Sequence, residues 1–297
     1  MPRGVSGGRR SCERLRGRIA LGYLVDESFD GARDEMQAHN TEWSMALAAL
    51  RGDGALGARL DEIADDFELD LGALAERLAV EGTSAFDTLF GDGDWSPRTP
   101  GQWLLGALLA TRLPSWIPQD VRVAGDLDVT ERRIVAGNLH VTGNLDAKSE
   151  LFVLGDLTVD GFARDTFMDI AHVVVAGDLT CGAGLFSEGA LMVGGRVIAP
   201  VVALTFNQGF AKILQGVSAR ALLEADHGGS RIYGPVEVPV VLFDELVTDE
   251  NALAPATLDD LARLLAPAAG AAIAGLGTMD AATKLVEMLA AGETLFG

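Results

Sequence analysis

Four histidines, two cysteines and a few serines are the side chains in this chain best suited to nucleophilic, acid–base or metal chemistry. The histidines are His39, His140, His172 and His227. No two of them stand at the i, i+4 spacing that places two ligands on one helix face, so no zinc site is legible. His140 sits between Leu139 and Val141, and His172 between Ala171 and Val173, so strand alternation predicts that both point outward to solvent. Cys12 and Cys181 lie far apart and form neither a metal spacing nor a disulfide framework. Cys181 falls at an apolar strand position, where cysteine behaves as a small hydrophobe. Ser187, Ser218 and Ser230 have no base marked beside them, and no GxSxG, GxGxxG or Walker phrase occurs. The residues therefore predict no catalytic centre, no cofactor and no metal.

A second set of residues carries charge. Asp165 follows Phe162, Glu188 follows Phe186, and Asn207 follows Phe206. Glu224 and Asp226 follow Leu223, with His227 next to them, and Asp244 with Glu245 follows Phe243. If these segments stack, the polar residues line one edge. Asp165, Glu188, Asn207, Asp226, His227 and Asp244 are thus the candidates for meeting a basic protein partner or a cation. The competing reading is that acids are common in turns for conformational reasons. Phe162, Phe186, Phe206, Phe210 and Phe243 are expected to face the core. The formal net charge of −20, from 43 acids against 23 bases, disfavours nucleic acid and anionic membranes as partners and would attract a basic surface.

Positioning such an edge requires a repeat, and residues 121 to 245 contain one. The phrase VAGDLDV begins at Val123 and VAGNLHV at Val135; LGDLTV follows at Leu154, AGDLTC at Ala176 and GGRVIA at Gly194. Weaker copies are QGVSA at Gln215 and YGPVEV at Tyr233. From Gly137 through Gly155, Gly177, Gly195 and Gly216 to Gly234, the steps are 18, 22, 18, 21 and 18. A second glycine series, Gly125, Gly143 and Gly161, also steps by 18 and is expected half a coil away. A fixed period near 20 marks a solenoid, in which each coil buries its apolar residues on the next. Val121, Val123, Leu127 and Val129 alternate as a strand with one face inward does. Leu127, Leu139, Leu157 and Leu179 are predicted to share one interior. The glycines suit sharp or crowded corners. Asp126, Asn138, Asn144, Asp156 and Asp178, which follow them, suit the same corners through Asx hydrogen bonds. The prediction is a parallel β-solenoid of six or seven coils; a β-sandwich is the alternative, and the in-phase repeat argues against it.

The V-x-G-D-L-x-V-like phrases at Val123, Val135, Val153 and Val175 resemble the bactofilin-type, polymer-forming β-helix proteins of bacteria. The similarity covers roughly residues 121 to 240. It implies a right-handed β-helix, no nucleotide, and end-to-end association. The chain departs from that pattern in its large helical regions on both sides of the repeat and in its longer periods of 21 and 22. A looser similarity runs to cytoplasmic binding proteins with helical flanks, including toxin-neutralising ones.

The flanks complete the layout. Residues 1 to 26 form a basic tail, expected to be disordered, whose short apolar run lacks a secretory cleavage pattern. Residues 27 to 118 read as helical, over 29 to 51, 56 to 79 and 103 to 113, with a turn-rich break from 91 to 100. They are expected to cap the first coil of the solenoid at 119 to 245. Residues 246 to 297 read as a second helical cap, opened by the Thr257–Asp260 capping-box pattern. The expected fold is mainly β with helical flanks. The expected protein is a cytoplasmic, non-enzymatic protein-binding module; the alternatives are a bactofilin-like self-assembling scaffold and a β-helix enzyme of acyltransferase or lyase type.

Overall fold

The computed structural model of the protein describes residues 40–80, 84–90, 98–165, 171–187, 189–205, 209–224, 230–242, 247–248 and 256–296. The basic tail lies outside the described residues. The repeat is a parallel β-solenoid with three faces. Face one holds β1 (Val121–Val123), β4 (Leu139–Val141), the first parts of β7 (Leu157–Asp165), β9 (Leu179–Phe186), β11 (Val197–Leu204) and β13 (Val217–Glu224), and β15 (Val236–Glu237). Face two holds β2 (Leu127–Val129), β5 (Leu145–Ala147), the second parts of β7, β9, β11 and β13, and β16 (Val240–Leu242). Face three holds β3 (Arg133–Val135), β6 (Leu151–Val153), β8 (Val173–Val175), β10 (Ala190–Val193), β12 (Phe210–Ile213), β14 (Arg231–Ile232) and β17 (Val247–Thr248).

The fold class read from the sequence is therefore the one observed. Down face one, Val121, Leu139, Leu157, Leu179, Val197, Val217 and Val236 stack, giving steps of 18, 18, 22, 18, 20 and 19. Leu127, Leu139, Leu157 and Leu179 all lie in the interior cluster, none more than 5% exposed. Each such burial contributes about 1.5–3 kcal/mol. A coil of three strands puts the two glycine series a third of a coil apart, not half: Gly125, Gly143 and Gly161 turn face one into face two, and Gly137, Gly155, Gly177 and Gly195 turn face three into face one. The late copies are also out of phase with the phrase. Gln215, not Gly216, stacks on Gly195, and its amide donates to the Gly195 carbonyl at 3.0 Å. Gly216 follows at φ +108, a left-handed conformation that favours glycine.

The Gly-Asp and Gly-Asn pairs hold neighbouring coils together. Asp120 Oδ1 accepts from Asn138 N at 2.9 Å, and Asn138 Oδ1 from Asp156 N at 2.7 Å. Asp156 Oδ1 accepts from Asp178 N at 2.8 Å and Asp178 Oδ1 from Arg196 N at 2.7 Å. A shorter ladder runs from Asp126 to Asn144 to Phe162. The Asx hydrogen bonds expected within a turn thus go to the next coil. Their carboxylates and amides occupy the space a side chain would need on the glycine above: a Cβ on Gly177 would meet Asp156 Oδ1 at 2.1 Å.

Helices flank the repeat in sequence as expected, and among the described residues they pack on its sides. The N-terminal layer comprises α1 (Asn40–Gly52), α2 (Gly54–Asp66), α3 (Leu71–Ala79), α4 (Ala85–Phe90) and α5 (Arg98–Ala110). The run expected from 56 to 79 breaks in two, because Glu68 turns at φ 51 and the Asp70 carboxylate accepts from Gly72 N and Ala73 N at 2.9 Å to start a new helix. α5 begins at Arg98, inside the stretch expected to be a break. Trp43, Phe67, Phe90, Trp103 and Leu108 pack on the outward Ile134, Phe152, Val174, Met192 and Tyr233 of face three. Trp103 meets Phe152 edge-on at 5.3 Å. The C-terminal layer, α6 (Leu258–Leu264), α7 (Pro267–Ile273) and α8 (Thr278–Ala290), sets Leu261, Ile273 and Leu285 against Val201, Ala203 and Leu223 of face two. Among the described residues, the interior cluster between Val123 and Val241 contains no helical side chain.

The predicted capping box is present. Thr257 Oγ1 accepts from Asp260 N at 3.2 Å, and Asp260 Oδ2 accepts from Thr257 N at 2.8 Å. The Thr257 hydroxyl also donates to Asp260, and chiefly through that bond the Asp260 carboxyl is held below its ordinary value. In Thr257→Ala, NMR titration should find the Asp260 carboxyl moved back up towards the ordinary aspartate range. An unmoved titration would mean that the hydroxyl does not hold it down.

Candidate functional site

Side chains alternate across a strand, so each short face-one strand sends one residue out and two in. The outward row runs Arg122, His140, Thr158, Thr180, Ile198, Ser218, Glu237, in register from coil to coil. None of the seven is buried, and Ile198 is 37% exposed. None belongs to either helix-packed cluster. Among the described residues, two faces of the prism thus carry a layer of helices and face one does not. The row spans about 29 Å, six steps of about 4.8 Å. Its chemistry is hydroxyl and apolar in the middle, with one cation at one end and one anion at the other.

The flanking corners are charged. The ladder residues Asp120, Asn138, Asp156, Asp178 and Arg196 border face one on the face-three side. His140 Nε2 lies 2.9 Å from Asp160, and Arg196 donates to Glu237 at 2.6 Å. Arg122 is exposed.

Asp165 is 2% exposed and does not reach a surface. Its carboxylate accepts from Ser187 N at 2.6 Å and Gly189 N at 3.0 Å, fixing the turn of the next coil. Glu224 is buried to the same degree. Glu188, Asn207, Asp226, His227 and Asp244 lie outside the described residues. His172, expected to face solvent, is 2% exposed beneath Trp103, and its Nδ1 accepts from Ala190 N at 3.0 Å. Ser230 is fully buried, accepting from Ala211 N at 3.1 Å. Cys181 lies in the interior, and burial pushes its thiol up to about 12. Phe186 faces the interior as expected, but Phe162 packs under the C-terminal helices and Phe210 against the N-terminal layer; Phe206 and Phe243 lie outside the described residues.

No family model, curated protein or solved structure matches the chain. The surface must therefore be read from its own chemistry. Among the described residues, no group of three or more His, Cys, Asp or Glu is placed to hold a metal, and no helix is long and apolar enough to cross a membrane.

One half-buried polar cluster escaped the sequence reading. Asp66 on α2 accepts from the Tyr233 hydroxyl, from Arg231 Nη1 at 2.9 Å and from Lys212 Nζ at 3.3 Å. Lys212 and Arg231 are register partners one coil apart on face three. The Lys212 ammonium lies 5.8 Å from the ring centres of Phe67 and Phe210, and Arg231 stacks 4.5 Å from the Tyr233 ring centre. Burial holds the Lys212 ammonium below the usual lysine range, against the pull of Asp66. Burial also works to raise the Asp66 carboxyl, but Tyr233, Lys212 and Arg231 together hold it low. Burial and the neighbouring carboxylate push the Tyr233 hydroxyl up. Each charge is answered within the cluster, which reads as a joint between helices and solenoid. Beside it opens a cleft of about 420 Å³. Its Arg112 is held by Asp53 at 2.9 Å and the Leu108 carbonyl at 3.0 Å, so the cleft has no unbalanced charge at that position.

Proposed function

We propose that the protein is a non-enzymatic binding module that engages another protein through face one. The observation that carries this reading is that helix layers cover the other two faces. An acidic body repels most acidic cellular surfaces, and the face-one row, with one cation and one anion, is a near-neutral stripe on it. A flat sheet with hydroxyl and β-branched side chains suits close approach of a second surface, with the flanking carboxylates as a polar rim. The non-enzymatic reading draws support from Asp165, His172 and Ser230, whose side chains bond backbone amides of a neighbouring coil.

A photo-crosslinking residue at Thr180 should capture a protein in cell extract, whereas the same residue at the exposed Glu293 should not. Equal capture at both positions, or capture at Glu293 alone, would remove face one as the binding surface.

A second reading is end-to-end assembly. Among the described residues, the first-coil strands β1, β2 and β3 are terminal in their sheets, and a free strand edge is a template for another chain. That geometry and the resemblance of the phrases favour a scaffold that grows along the solenoid axis. Electron microscopy separates the readings, because fibres follow from end-to-end growth and discrete particles do not.

A further inference from the structure

We propose that the partner face one accepts is a second copy of this chain, docked face to face with the two solenoid axes antiparallel. This rests on the reading of face one as the binding surface. The argument comes from the order of the row. It has seven members at equal steps, with Arg122 first, Thr180 fourth and Glu237 last. A two-fold axis along the strand direction at the Thr180 level reverses that order. Arg122 then meets Glu237 of the other copy, His140 meets Ser218, Thr158 meets Ile198, and Thr180 meets itself. The contact is isologous and closes at two copies. The other in-plane arrangement, with solenoid axes parallel, sets Arg122 on Arg122 and Glu237 on Glu237. Like charges placed together at an interface are costly, so the row itself selects the antiparallel pair.

The flanking ladder agrees. Its order Asp120, Asn138, Asp156, Asp178, Arg196 continues one member per coil through Gly216 to Pro235, again with the fourth member central. The same axis brings Asp156 opposite Arg196 of the mate, twice. Asp178 meets its own copy on the axis, the one like-charge contact in the two columns. Glu237, already bonded to Arg196 of its own chain, gains Arg122 as a second cation.

The face is roughly 29 Å by 15 Å, about 400 Å² per copy, where a standard interface buries about 800 Å² per partner. The pair is therefore weak and concentration-dependent. Two bodies of charge −20 repel at low salt, so the pairing belongs at about 0.15 M ionic strength, where the Debye length is about 8 Å.

The test is sedimentation equilibrium of the full chain over a concentration series. The wild type should dimerise and grow no further. Arg122→Glu and Glu237→Arg should each weaken the dimer by about tenfold or more, and the double variant should recover most of that loss. Asp178→Asn should tighten it. In a Cys12→Ser background, Thr180→Cys should cross-link to itself with a short thiol reagent, Arg122→Cys should not, and a mixture of Arg122→Cys with Glu237→Cys should. A monomer at every concentration, or a double variant no better than the singles, overturns the pairing. Capture of a different protein at Thr180 by that monomer would still leave face one a binding surface, so the two failures are distinguishable.

Discussion

Replacing Asp66 with asparagine is expected to destabilise the fold by about 1–3 kcal/mol. Removing one member of a buried ion pair typically costs about 3–5 kcal/mol, because the partner is left charged and desolvated. Asp66 answers two cations and a buried hydroxyl at once. The lower figure reflects solvent screening, because Asp66 is exposed and Lys212 and Arg231 are half-buried. Glu62, 3.8 Å from Arg231, compensates in part. Denaturant unfolding at neutral pH reads the loss directly. Adding Lys212→Met to Asp66→Asn should recover part of it, since a methionine between Phe67 and Phe210 needs no counter-charge. A neutral Asp66→Asn variant would show that the joint contributes nothing to stability. The pH dependence has a definite sign. The folded Asp66 carboxyl titrates below its unfolded value. Between the two values the unfolded chain holds more protons, so stability rises with pH there. The contribution is complete above the unfolded value and is lost as pH falls through the folded one. Asp66→Asn should remove that part of the acid dependence.

Much of the solenoid was legible because its physics repeats. Inward leucines at Leu127, Leu139, Leu157 and Leu179 recur at fixed phase, and stacking is the only way such short strands bury them. The number of faces was less visible: steps of 18 fit two long sides or three short ones, and only the backbone shows three. Where the helices dock was written in the sequence but not used. LFVL at Leu151 to Leu154, VVV at Val173 to Val175 and ALMV at Ala190 to Val193 are apolar on both sides, whereas VRV and LHV of face one alternate. A strand apolar on both faces is covered on both, which marks face three as the docking side. Face one keeps the alternation, and that is the sequence signal for an uncovered surface. Asp165 misled because an acid after a strand looks the same whether it faces water or holds the next turn. Lys212, Arg231 and Asp66 are 146 and 165 residues apart in chain order, and no local pattern joins them.

Gly177→Ala is expected to cost about 3–5 kcal/mol, more than any glycine-to-alanine change made for entropy alone. The added Cβ would lie 2.1 Å from Asp156 Oδ1 and 3.0 Å from the Gly155 carbonyl. Overpacking of this kind costs about 1–3 kcal/mol. Relief requires moving the coil, and that strains three inter-coil hydrogen bonds worth about 1 kcal/mol each. They are Gly177 N to the Gly155 carbonyl at 3.0 Å, Gly195 N to the Gly177 carbonyl at 2.9 Å, and Asp178 N to Asp156 Oδ1 at 2.8 Å. Backbone conformation is not the cause, because among the repeat's described glycines only Gly125 and Gly216 have positive φ. A double-mutant cycle isolates the carboxylate. Asp156→Ala alone loses the bond to Asp178 N and should cost about 1–3 kcal/mol. Combined with Gly177→Ala it also clears the 2.1 Å contact, leaving only backbone at 3.0 Å, which a shift of a few tenths of an ångström relieves. The double variant should therefore be more stable than the sum of the singles by about 1–2 kcal/mol, beyond the ~0.5 kcal/mol within which independent sites add. Simple additivity would mean that glycine is required here by something other than the aspartate one coil below. The same cycle at Gly195 and Asp178 should show a smaller recovery, because there the Gly177 carbonyl itself stands 2.7 Å from the added carbon and cannot be removed by substitution.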